Sequence, residues 1–158
     1  MEATTKNAIV ATAHCLTGCA IGEVLGMVLG TAFKLSNVLT TLLAIVLAFI
    51  FGYGLTMRSV LTQGVRFGTA VKVALAADTA SIATMELIDN AFIWLVPGAV
   101  HAMLGDVLFW WSLLASLAVA FVVTVPVNRY LMARGKGHAV VHQYHDHVDH
   151  AGPHHHAG

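Results

Sequence analysis

The stretch HCLTGCAIGEVLGMVLG, His14–Gly30, is apolar enough to lie in a membrane, yet it carries a histidine, two cysteines and a glutamate within about three helical turns. Its glycines, Gly18, Gly22, Gly26 and Gly30, recur at every fourth position, a ridge on which another helix backbone can approach closely. On a helical wheel of about 100° per residue, Cys15, Cys19 and Glu23 share an arc of roughly 140° with these glycines. Ile21, Val24, Leu25 and Val28 lie opposite. The thiols and the acid are therefore expected to point into protein and away from lipid, with His14 at the edge of their face.

Composition sets the solvent. The chain has 158 residues, 58% hydrophobic and only 10% charged, whereas a soluble domain carries about 25% charged residues. The formal net charge is zero, so there is no basic surface for phosphates, and nucleic acid is excluded as a partner. The expected partners are the lipid bilayer and metal ions. Cys15 and Cys19 stand one turn apart on one predicted helix, where their Cβ vectors do not favour a bridge, and they are read as thiols.

Four apolar segments, at about 8–33, 37–57, 69–96 and 106–126 or slightly beyond, are each long enough to span a bilayer. Of the eight basic residues, Lys6, Arg58, Arg66, Lys72, Arg129, Arg134 and Lys136 fall on one side of this layout and Lys34 alone on the other. By the positive-inside rule both termini are expected in the cytoplasm, with Trp110 and Trp111 near the outer interface. The fold class expected is an all-α integral membrane protein, a bundle of four transmembrane helices over residues 1–135. A disordered His-rich cytoplasmic tail is expected over 136–158.

The third segment carries a second polar stripe. With Glu86 at zero on its wheel, Asp78, Asp89, Thr79 and Asn90 fall within about 120°. Counting inward from Lys6 and Lys72 at about 1.5 Å per residue puts Cys19 near the level of Glu86 and Glu23 near that of Asp89. Segments two and four carry few ionisable groups and are read as scaffold. Asp106 and His101, beside the break at Pro97, are read as cap or interface residues.

Glu23, Asp78, Glu86 and Asp89 have no lysine or arginine at their depth. A carboxylate near the bilayer centre costs at least about 2.5 kcal/mol, so these groups must be protonated, hydrated in a cavity or neutralised by a cation. Thiolate and imidazole beside carboxylate suit a transition metal, copper or zinc first. The tail, HAVVHQYHDHVDHAGPHHHAG, is rich enough in histidine to read independently as metal binding. The candidate metal ligands are His14, Cys15, Cys19, Glu23, Asp78, Glu86 and Asp89 within the membrane, and His142, His145, His147 and His150 in the tail. Met27 and Met85, at the edges of the two stripes, are thioether candidates whose ordinary role is packing.

HCLTGCAIGEVLGMVLG together with MELIDN, Met85–Asn90, resembles a family of small bacterial membrane proteins known as domain of unknown function 4396, over roughly the first 135 residues. The resemblance implies a bacterial inner-membrane setting and a four-span layout, but no activity.

The leading functional expectation is transition-metal transport or metal handling through the Cys/Glu/Asp cluster, with the tail binding metal in the cytoplasm. The alternatives are a small proton-coupled exporter of organic cations and a membrane metalloenzyme. No H-E-x-x-H, G-x-S-x-G or C-x-x-C-H motif is present, which ranks catalysis below transport. Four spans enclose little space, which favours a homodimer.

Overall fold

The computed structural model describes residues 2–62 and 64–134. The described chain forms four long helices, α1 (Glu2–Ala32), α2 (Asn37–Leu61), α3 (Phe67–Leu95) and α4 (Val107–Ala133), with a single 3-10 turn at Ala99–His101. Each helix ends for a local reason. After α1, Lys34 takes a left-handed conformation (φ 54°). The Leu35 amide then returns to the Gly30 carbonyl at 2.9 Å and the Lys34 amide to Thr31 at 3.2 Å, a reciprocal pair that satisfies the last carbonyls of the helix. Ser36 caps α2, its hydroxyl accepting from the Leu39 amide at 3.4 Å. After α3, Pro97 cannot continue the helix and Gly98, at φ 84°, reverses the chain.

α1 packs against α2 and α4, and α3 packs against the same two helices, so α1 and α3 meet across the diagonal of a square bundle. The seam between α1 and α2 is the closest. A Cβ at Gly18 would come within 2.8 Å of the Gly52 Cα, and one at Gly26 within 2.6 Å of the Ala44 Cα. At Gly22 it would collide with the backbone of Ala48. The glycine ridge read from the sequence is thus the surface on which α2 sits.

Thr5–Ala32, α2 and α4 are long and apolar enough to cross a membrane. α3 has 29 residues, but Lys72, Asp78, Glu86 and Asp89 keep it out of that class. Of the four segments expected to span, α3 alone is not apolar enough by composition. The physical reason lies in which way the polar groups turn. Asp78, Ser81, Glu86 and Asp89 are buried among the other helices, while Leu75, Leu87, Trp94 and Leu95 face outward.

The boundaries differ from the sequence reading at three ends, α2 running past 57 to Leu61. α1 begins at Glu2, and α4 runs through Pro126 to Ala133. The extension matters because it brings Asn128 into the bundle. The tail histidines His142, His145, His147 and His150 lie outside the described residues.

Candidate functional site

The polar faces of α1 and α3 meet in the bundle interior. Near the end that holds the first residues of α1 and the last of α4, the Cys15 thiol donates to Asp78 Oδ1 at 3.5 Å, with Ser81 and Thr56 beside the pair. One turn farther along α1, Cys19 Sγ stands 3.9 Å from Met85 Sδ and close to Glu86. One more turn brings Glu23 against Asp89 and Glu86. The offset between partners is nearly constant because the two helices run parallel, and the levels found for Cys19 with Glu86 and Glu23 with Asp89 are those counted from the sequence.

Burial at these positions is close to complete: Cys15 is 1% exposed, Cys19, Asp78 and Asp89 are 0%, and Glu86 is 5%. Both cysteines are free thiols. Neither oxygen of Glu86 nor of Asp89 has a hydrogen-bond partner, and the buried Oε2 of Glu23 has none either. In a native interior such groups are exceptions that require an explanation. His14 is half-buried, and its Nε2 is likewise buried without a partner. Among the described residues no three His, Cys, Asp or Glu side chains converge into a group able to hold a metal ion. The predicted ligands are strung along the diagonal as successive small groups.

A cavity of about 860 Å³ opens at the opposite end of the bundle, between the α1–α2 turn and the α3–α4 connection. Glu23 and Glu86 line its deep part, and the exposed Lys34, Asn37, His101 and Met103 form its rim. Asn37 Nδ2 donates to the Val100 carbonyl at 3.2 Å and lies 3.3 Å from His101 Nδ1. His101 therefore fastens the α3–α4 connection to the start of α2. Asp106 Oδ2 accepts from the Met103 amide at 2.7 Å, which ties the same connection to the start of α4. Trp110 and Trp111 sit on the first turns of α4, Trp110 donating to the Leu104 carbonyl at 3.0 Å.

Sequence reasoning missed the contribution of α4. Asn128 Nδ2 donates to Thr12 Oγ1 on α1 at 2.9 Å and lies 3.0 Å from Ser81 Oγ on α3. Ser112, Ser116, Thr124 and Asn128 are all buried and recur at multiples of four, a signal as regular as the glycine ridge. A last span bounded at Pro126 or slightly beyond leaves Asn128 at its margin, whereas α4 runs to Ala133. Met85, set aside as packing, is the residue facing Cys19.

The profile of the family described as "Domain of unknown function (DUF4396)" matches residues 4–137. No curated protein and no solved structure matches the chain.

Proposed function

The chain belongs to the DUF4396 family, and we propose that this member moves transition-metal ions, copper or zinc, along the diagonal between α1 and α3. The single observation that carries the reading is that acids and soft donors from two parallel helices meet inside the bundle with no basic residue among them. Cys15 with Asp78, Cys19 with Met85, and Glu23 with Glu86 and Asp89 form a ladder of steps. Passage requires sites that bind well enough to admit an ion and weakly enough to release it, spread over several positions. A ladder of incomplete groups meets that requirement better than one closed centre.

Thiol and carboxylate ligands must lose protons to bind, so each ion entering the ladder releases protons. In this reading α3 is a fourth span whose acids are sheltered by the other three helices. Both termini face the cytoplasm of a bacterial inner membrane. The basic residues Lys6, Arg58, Arg66, Lys72, Arg129 and Arg134 on that side support this orientation, and the packing of Ala8 and Ala11 against Met132 brings the start of α1 to the end of α4. The tail histidines then gather metal on the cytoplasmic face, and the cavity opens on the outer one.

The test is uptake of copper(I) and of zinc into proteoliposomes holding the full chain, with internal pH followed in parallel. The reading requires metal movement accompanied by a proton signal, both lost in the Cys15→Ser, Cys19→Ser double variant. Transport of neither metal by wild type, or equal transport by the double variant, overturns it.

A further inference from the structure

The cavity at the outer end of the bundle is larger than a metal ion needs. A divalent ion with six waters fills on the order of 180 Å³ at about 30 Å³ per water, against about 860 Å³ available. Its volume lies in the range of small-molecule pockets, which are mostly apolar with a few placed polar groups. The lining has that character. Met27, Ile45, Ile93, Phe109 and Leu113 supply apolar walls, and Glu23 and Glu86 supply the negative charge in its deep part. Glu86 is 5% exposed and neither of its oxygens has a hydrogen-bond partner.

An apolar chamber that ends on an unpaired buried carboxylate is complementary to an ion with a hydrophobic body and a diffuse positive charge. Such an ion loses little hydration on entering and places its charge where the protein lacks one. Phe109, with its ring on the chamber wall, adds an attractive face for a quaternary cation. Neither thiol lines the chamber; Cys19 lies inward of it against Met85.

We infer that this cavity is a binding site for hydrophobic organic monocations, with Glu86 as the counter-charge and Glu23 beside it. The site goes beyond the metal reading: it shares the two glutamates with the ladder but requires neither cysteine.

The experiment is equilibrium dialysis of the full chain in detergent, free of added metal, against tetraphenylphosphonium, with tetraphenylborate as an ion of the same shape and opposite charge. Saturable binding of the phosphonium and none of the borate is expected. Glu86→Gln should weaken phosphonium binding at least about tenfold. Leu113→Trp, which keeps both acids and fills the chamber, should weaken it similarly. The Cys15→Ser, Cys19→Ser protein should bind within about twofold of wild type, since no sulfur of either residue reaches the chamber. Equal binding of both ions, or undiminished binding in Leu113→Trp, overturns the inference whether or not Glu86→Gln folds. Loss of metal transport with phosphonium binding intact removes the metal reading alone, and the converse removes this one alone.

Discussion

Asn128 of α4 and Thr12 of α1, 116 positions apart in sequence, share a hydrogen bond of 2.9 Å in the buried part of the bundle. The same amide reaches Ser81 of α3 at 3.0 Å, so one side chain ties three helices together. The Thr12 hydroxyl donates to the Ala8 carbonyl at 2.7 Å, which leaves its oxygen lone pairs to accept. Replacing Asn128 with leucine keeps the volume but removes both hydrogen bonds that tie α4 to Thr12 and Ser81. The loss expected is about 1–2 kcal/mol, read as a lower midpoint in thermal unfolding of the detergent-solubilised protein. A midpoint equal to wild type would show that the triad contributes nothing.

The α1–α2 seam gives the second prediction. At Gly22 any side chain must push against the Ala48 backbone, which cannot move aside as a flexible side chain could. Gly22→Leu should cost about 2 kcal/mol or more. Gly54→Leu, at a position with open space around its Cα, should be close to neutral. Melting the two variants side by side separates packing from any general intolerance to leucine.

Glu86 presents a buried charge-bearing group without a partner. Glu86→Gln removes that ionisable group while keeping shape, and so spares the cost of burying an unpaired charge. The expected result is an apo protein more stable than wild type whose stability rises less than that of wild type on addition of copper(I) or zinc. A destabilised variant whose response to metal equals that of wild type would contradict the assignment.

The Tyr53 hydroxyl and Thr79 Oγ1 lie 2.9 Å apart, linking α2 to α3 away from the ladder. Tyr53→Phe should lower stability by about 0.5–1.5 kcal/mol and leave metal transport per folded molecule unchanged. Transport measured alongside circular dichroism tests both halves of that statement.

The arrangement of α1 was legible because its glycines, thiols and Glu23 repeat at intervals that an α-helix turns into one face. The parallel register of α1 and α3 was legible for a related reason, since both helices start near basic residues and rise by the same step. Two things were hidden. Periodicity says which face of a helix is polar but not which neighbour it meets, so nothing in the sequence distinguished α3 as the diagonal partner of α1 from α3 as its adjacent one. Hydroxyl and amide groups also weigh little in a reading tuned to ionisable residues, so Ser112, Ser116, Thr124 and Asn128 passed as scaffold. The cavity is lined by residues of all four helices and of the α3–α4 connection, and no local pattern encodes a gap.

The near-contact of backbones along Gly18, Gly22 and Gly26 has a mechanical corollary. Two helices seamed that tightly behave as a single strut, because sliding or tilting either one drives carbonyl and amide groups into each other. Under the transport reading, changes of access at the two ends of the bundle would therefore fall to the opposite arm. There Pro126 interrupts the hydrogen-bond ladder of α4 one turn beyond the Val122 carbonyl. Under that same reading, the α3–α4 arm would be the half that moves and the α1–α2 pair the half that stays fixed.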